Sequence, residues 1–463
     1  MPFPLDLIVR SRRVITAGGT RPASVHIRGG KIVGVLAFDD VPEGCPVDEA
    51  GDAAVMPGVV DTHVRVSAAG RTTSDAFEIT TRAAAAGGVT TLLDMPFHGI
   101  QPTTTAAAVG VKREAAAAAC HVDVGLWGGL APGNERELAP MFEAGVFGFM
   151  CALVASDASE YPAVSDSNLR VAMPAITRLG VPLLVHAELP GPIAAAQAKQ
   201  RAGGGLLARL SPTRRSRRRY RTYLESRPKE AENEAIALMI ALCREFRTAT
   251  HIVHLSSSDA LTPLFHARSA RLPVSAETCP HYLSFVADEI GDGATAFTCA
   301  PPIRERENRE LLWAALAGGL IQMVVSDHSP AAAPTANAPD DFTRARPGIS
   351  SLQLSLPATW TEARARGYTL AHIAEWMCRN PARLAGLSRK GVVDVGFDAD
   401  LIVMNPDARW KVQEESLEGR IFTPYLGRHL YGIVERTYLR GRRVFDRCGP
   451  CAAPHGRILT RSP

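Results

Sequence analysis

Three of the thirteen histidines occupy equivalent places in the chain. His63, His186 and His254 each stand near the C-terminal end of a short apolar run, in VVDTHVRV, PLLVHAE and HIVHLSS, and Asp327 closes a fourth, IQMVVSD. Three imidazoles and a carboxylate suit a borderline divalent cation such as zinc, which polarises a carbonyl and lowers the pKa of a bound water. One such histidine alone reads as a satisfied core residue. Four polar groups placed by the same rule imply a common mouth on which the runs converge.

Eight runs have this character: VVDTHVRV, VTTLLDM, VDVGLWG, VFGFMCAL, PLLVHAE, HIVHLSS, PVSAETC and IQMVVSD. Ala-rich stretches of good helix formers separate them, for example TTTAAAVGVKREAAAAAC and EAIALMIALCREF. A β/α alternation carried eight times predicts a (β/α)8 TIM-like barrel over residues 57–390. An open doubly wound sheet is the rival, but no glycine-rich phosphate loop follows the first run and polar residues recur at the run ends. Residues 1–56 and 391–463 share another texture, short alternating runs broken by Gly, and predict one composite β-sandwich domain built from both chain ends.

The 463 residues are 46% hydrophobic and 21% charged, a globular balance that excludes intrinsic disorder. The 51 basic residues exceed the 47 acidic ones only through Arg214, Arg215, Arg217, Arg218, Arg219 and Arg221, without which the count is 45 against 47. A general nucleic-acid or membrane footprint is therefore not expected. The run itself is either a solvated face or a contact for an anionic partner. It ends the segment 190–227, which reads as a long loop over the barrel mouth. No stretch has the length or apolar character of a membrane helix, and the N-terminus lacks a secretory layout, so a cytoplasmic location is expected. Nine scattered cysteines fit reduced thiols better than a disulfide framework. Cys448 and Cys451 form a CGPC motif of redox type, but no strand-to-helix context surrounds it, and structural or incidental use is expected.

The sequence resembles the cyclic-amide hydrolases of the amidohydrolase superfamily, on their allantoinase side, with hydantoinase and dihydroorotase as relatives. The resemblance runs through MPGVVDTHVRV, GRTTSDAFEITTRAAAAGGVTTLLDMP, GVFGFM, LLVHAE, YLESRP, HIVHLSSSDAL, ETCPHYL, CAPPIRERENRE, VSDHSP, GISSLQ, FDADLIVMNP and TPYLGRHLYG, nearly the whole chain. It implies a two-metal site made by an HxH pair, a carboxylated bridging lysine, two further histidines and an aspartate that also accepts a proton. His63, His186, His254 and Asp327 match four of these positions. Backbone groups near Ala300 and Gly348 are implied to hold the substrate amide, and a homo-oligomer is implied as the assembly.

Two positions depart from the pattern. Arg65 stands where the pair should have its second histidine, and Met150 where GFK should carry the bridging lysine. Arginine stays protonated and offers no lone pair. Methionine cannot be carboxylated, and its thioether suits soft ions. None of the six lysines, Lys31, Lys112, Lys199, Lys229, Lys390 and Lys411, stands at a predicted strand end. The loop after the first run also departs: Ser67, Ala68, Ala69, Gly70 and Arg71, then Ser74, Asp75, Ala76 and Phe77, stand where the family reads NEPGR and a Trp-Glu-Gly-Phe run.

Three readings follow. The first is an allantoinase-like hydrolase of a small cyclic amide that uses one zinc or other divalent ion per chain rather than two. The second is a catalytically silent homologue, a structural or regulatory subunit that holds one ion at most, or none, and assembles with an active relative. The third is a changed reaction in the same barrel, with Arg65 binding an anionic substrate. In each, Arg65 is expected beside Asp327 in a charge-assisted pair, because the first and eighth strands of a closed barrel are neighbours.

Overall fold

The computed structural model describes residues 5–67, 72–96, 102–155, 162–202, 214–330, 340–419, 421–450 and 453–461. All eight apolar runs form strands: Val59–Val64, Val89–Asp94, Asp123–Leu126 continued by Gly128–Gly129, Phe149–Ala152, Leu183–His186, Thr250–Ile252, Val274–Thr278 and Met323–Val324. Neighbours pair in parallel, with Thr91 opposite Asp123, Phe149 opposite Leu183, Thr250 opposite Val274 and Glu277 opposite Met323. A parallel bridge from His328 to Val64 joins the eighth strand's extension to the first and closes the barrel. Seven of the eight strands are buried on both faces, and Ser275 is the one half-buried position in the other. This is why they read as continuous apolar runs rather than alternating ones.

The helices between them have identifiable starts and stops. Thr72 and Asp75 cap Thr73–Ala86 reciprocally, and Ser165 and Asn168 do the same for Asp166–Leu179, which Gly180 ends at φ 66°. Lys229–Phe246 buries Ala231, Ala235, Ile236, Met239, Leu242 and Cys243, an apolar face at helical spacing against the strands. No helix among the described residues is long and apolar enough to cross a membrane.

Strands from both ends of the chain join in one hydrogen-bonded sheet. Its order is Arg442–Asp446, His429–Leu439, Leu401–Lys411, Ala54–Pro57, Leu7–Thr16, Gly19–Arg28 and Lys31–Leu36, with Val47–Glu49 beside Leu7–Thr16. The sheet curls on itself: Gly441 approaches Ile27 and Gly30 approaches Arg440 so closely that a Cβ would lie 2.7 and 3.0 Å from them. Val9, Val14, Val25, Ile27, Val55, Leu401, Val403 and Tyr438 fill the space enclosed.

The last described residues leave this sheet for the barrel. Val124 donates to the Arg457 carbonyl at 2.9 Å and Leu459 donates to Val124 at 2.7 Å, so the tail lies along the third barrel strand. Lys390 fixes the junction. Its ammonium is buried 2.9 Å from Asp123 Oδ2 and 2.5 Å from Asp400 Oδ2, while Arg440 Nη1 lies 2.6 Å from Asp123 Oδ2.

Segment 190–227 differs from the long loop expected. It contains helices at Pro190–Ala202, Arg214–Arg217 and Tyr220–Ser226, and residues 203–213 lie outside those described. Two tyrosines fasten it to the barrel mouth, Tyr220 donating to the Ile303 carbonyl at 3.0 Å and Tyr223 to that of Cys299 at 2.8 Å. Arg217, Arg218 and Arg221 pair with Asp341, Asp340 and Glu225. The side chains of Arg214 and Arg215 lie outside the described residues, as do Ala68, Ala69, Gly70, Arg71 and Cys451. Cys448 is exposed.

Candidate functional site

The strand ends deliver their polar groups to one buried cluster. His63 lies in the first strand, and its ring nitrogens face two carboxylates: Nδ1 is 2.5 Å from Glu277 Oε1 and Nε2 is 3.1 Å from Asp327 Oδ1. Glu277, in the seventh strand, also takes His251 Nε2 at 3.0 Å. His186, at the end of the fifth, brings Nδ1 to 2.8 Å from His254 Nε2 and Nε2 to 3.1 Å from Glu188 Oε2. The His254 ring centroid is 5.4 Å from that of His63 and 4.7 Å from that of His186. His63, His186, His254 and Asp327 are thus brought together in one continuous set of contacts.

The backbone at this mouth is held in unusual conformations. His254 and Asp327 have φ of 41° and 46°, sterically costly for residues with a Cβ. Hydrogen bonds brace the backbone on either side of Asp327. The Asp61 carboxylate accepts from the backbone of His63 at 3.1 Å and of Ser326 at 3.2 Å, and Arg65 N–H donates to the His328 carbonyl at 2.8 Å.

Charge follows from these contacts. Burial raises the Glu277 carboxyl, but His63 and His251 outweigh it and hold the group down at about 2. Glu188 is likewise penalised by burial and is brought to about 2 by Arg227 and His186; Arg227 Nη2 lies 2.5 Å from its Oε2. Burial lowers His63, yet Asp327 and Glu277 together raise it above the ordinary histidine value. Asp327 goes up, because burial exceeds the lowering by His63 and Arg65. Burial, with His186 and His63 beside it, drives His254 far below the usual range and keeps it neutral.

The two departing positions sit differently from each other. Met150 is buried in an apolar cluster with Leu93, Met95, Trp127, Leu184 and Val253. Arg65 is half-buried and acts as a positive charge on both His63 and Asp327. It does not form the expected pair. Among the described residues the ion partner of Asp327 is His63, and Arg65 Nε is buried without a hydrogen-bond partner. The physical reason is that His63 Nε2, itself directed by Glu277, already occupies the near side of the carboxylate.

Gly348 N–H is not free to hold a substrate, since it donates to the Thr298 carbonyl at 2.9 Å. A Cβ there would lie 2.7 Å from Ser329 Oγ at φ 151°, so the position requires glycine for close backbone approach. Ala300 is half-buried in a segment pinned by Tyr223, Tyr282 and Ser256, whose hydroxyls donate to Cys299, Pro301 and Pro302 carbonyls. No lysine stands at the end of a barrel strand, but Lys112 reaches Asp94, at the end of the second strand, from a helix.

Sequence reasoning left several members unassigned. Glu277 closes a predicted strand, so the rule that found the histidines could have found it. Glu188 and Arg227 lie 39 positions apart, and only the packing of the intervening helices joins them. Cys279 and His281 were visible in ETCPHYL without a role, and their donor atoms and one of Asp327 all lie within 4.8 Å of one another.

The two-metal arrangement does not fit these residues, because Arg65 supplies a fixed positive charge and Met150 no oxygen ligand. Donors for one ion are present. Asp327 sets one carboxylate oxygen against His63 Nε2, and His254 Nδ1 and both nitrogens of His281 are buried without hydrogen-bond partners among the described residues.

The sequence profile of the amidohydrolase family matches residues 54–443. The chain is 46% identical over 461 residues to an allantoinase of Streptomyces avermitilis, covering 99% of each. It is 36% identical over 478 residues to the allantoinase of Saccharomyces cerevisiae, covering 99% of this chain and all of the other. Its structure resembles the L-hydantoinase (dihydropyrimidinase) from Arthrobacter aurescens with a TM-score of 0.87 at 30% identity, covering 99% and 100% of the two chains.

Proposed function

The chain belongs to the amidohydrolase family, and on that premise we propose that it opens the ring of a small cyclic ureide of the allantoin type by adding water across a ring amide. The observation that carries this reading is the Asp327 carboxylate, 7% exposed at the barrel mouth and 3.1 Å from His63 Nε2. Burial makes it a stronger base than a surface aspartate, which suits it to take the proton of the attacking water. Glu277 fixes the orientation of His63, so that its Nε2 faces Asp327. One divalent ion anchored on Asp327 would supply carbonyl polarisation and a more acidic water. The pinned segment around Ala300 presents backbone groups on which the substrate amide is proposed to rest. Allantoin hydrolysis by the zinc-loaded protein, compared with Asp327→Asn, tests the proposal: the variant should lose turnover.

Arg65 and Met150 favour a second reading, a silent homologue that stabilises or regulates an active relative. A protein that binds a family member yet yields no allantoate under any metal would support it.

A further inference from the structure

Arg65 follows His63 by two residues where the first barrel strand runs out, with Val64 still paired to Asp94 and bridged to His328. Side chains two apart on extended backbone leave on the same face, with Cα atoms roughly 7 Å apart. His63 is fully buried in the mouth against Asp327, so Arg65 is delivered to the same opening one step further out. Its positive charge is felt there by His63, His254 and Asp327. The backbone around it is tied at three points: Arg65 N–H donates to the His328 carbonyl, Val66 N–H to Asp94 Oδ1 and Met95 N–H to the Val64 carbonyl, each at 2.8 Å. The guanidinium has no ion partner among the described residues, and its Nε is buried without a hydrogen bond. A buried donor left without an acceptor is costly and calls for one.

The acids nearby do not fill that role. Glu188 closes a bidentate pair with Arg227, whose Nε lies 3.2 Å from Oε1 and Nη2 2.5 Å from Oε2. Glu277 lies between His63 and His251. Asp327 offsets only part of the charge of a divalent ion, so with one ion in place the positive charge of Arg65 remains over. We infer that Arg65 is the anion-holding group of this mouth: its guanidinium takes the ring carbonyl oxygen as that oxygen becomes an oxyanion, and keeps it as the carboxylate of the opened product. The inference rests on the proposed ring opening and deepens it. A guanidinium suits both states, because its planar fork offers two parallel N–H donors to a charged oxygen or to both oxygens of a carboxylate.

The step balances on these residues. Water oxygen bonds to the ring carbonyl carbon while Asp327 takes one of its protons, and the carbonyl electron pair moves onto the oxygen facing Arg65. When the intermediate collapses the ring C–N bond breaks, and the proton on Asp327 passes to the leaving nitrogen. The second water proton is released to solvent, which leaves a carboxylate against Arg65. No electron is transferred. A neutral ring carbonyl gains little from a guanidinium, an oxyanion much more, so the contact lowers the barrier rather than tightening substrate binding.

Calorimetric titration of hydantoate, the carboxylate formed by opening hydantoin, into the metal-free full-length protein reads the guanidinium without any ion. The unmodified chain should bind it about tenfold or more tightly than Arg65→Met, with Arg65→Lys in between, while uncharged hydantoin should separate the three proteins by about threefold or less. Arg65→Met strands no ion partner among the described residues, so the variant should fold. With zinc supplied, Arg65→Met should lower kcat by about 10²- to 10³-fold, the cost of one oxyanion donor, with KM nearly unchanged, and added guanidinium ion should restore part of the rate to Arg65→Ala. Equal hydantoate affinity in the unmodified chain and Arg65→Met, or no binding to either, overturns the inference, as does a raised KM at unchanged kcat. Zinc-dependent turnover indifferent to Arg65→Met would remove this role and leave the ring opening standing, whereas Arg65-dependent hydantoate binding in a chain without turnover would keep the anion site and remove the ring opening.

Discussion

His63 Nδ1 lies 2.5 Å from Glu277 Oε1, and both side chains are fully buried. The carboxylate selects which ring nitrogen faces Asp327, so an acid on the seventh strand sets the chemistry of a pair on the first and eighth.

This relationship has a pH signature. Glu277 is held at about 2 against an ordinary 4.5, so its contribution is fully present above about pH 4.5 and is lost as pH falls toward about 2. The contribution is about 3 kcal/mol at neutral pH. Urea denaturation of Glu277→Gln should show a deficit of that order at pH 7, and most of the deficit should disappear by about pH 3. A deficit independent of pH would mean that shape, not charge, is what Glu277 provides.

Arg227 should matter through Glu188. Replacing it with Met leaves the buried Glu188 carboxylate with His186 as its remaining ion partner among the described residues and should cost about 3 to 5 kcal/mol. Stability to urea at pH 7 is the measurement, and a cost below about 1 kcal/mol would place the pair among weak surface contacts.

The Lys390 junction makes a similar claim far from the mouth. Its ammonium sits among Asp123, Asp398 and Asp400, joining barrel to sheet. Lys390→Met should destabilise by about 3 to 5 kcal/mol, because three buried or nearly buried carboxylates lose their shared cation. Limited proteolysis should then cut the C-terminal tail, which reaches the barrel beside Asp123, faster than in the unmodified chain.

Much of this was legible in residues. The eight strands were visible because burial on both faces leaves unbroken apolar runs, and His63, His186, His254 and Asp327 because a barrel sends all its strand ends to one mouth. The partnerships were not. A sequence places Arg65 near Asp327, but it does not say that His63 takes the carboxylate first, since that depends on ring rotation set by Glu277. Glu188 and Arg227 meet only through helix packing, and the docking of the tail on Val124 leaves no periodic trace in a few residues.

Arg65 without an ion partner changes what its substitution should do. Arg65→Ala should alter stability by about 1 kcal/mol or less. Metal content of the unmodified chain should be at most one divalent ion, and the double change Arg65→His with Met150→Lys should move it toward two, more than either single change. Both restored groups would act on the same pair of cations, so their effects should not add independently. Equal uptake in all four proteins would show that these positions do not limit the number of ions.

The most direct measurement is allantoate formation by the purified chain, first freed of metal by chelation and then given one equivalent of zinc. The account predicts zinc-dependent turnover that is abolished by Asp327→Asn and lies well below about 10 per second, the rate typical of enzymes. No turnover above the buffer rate, or turnover unaffected by Asp327→Asn, would contradict it.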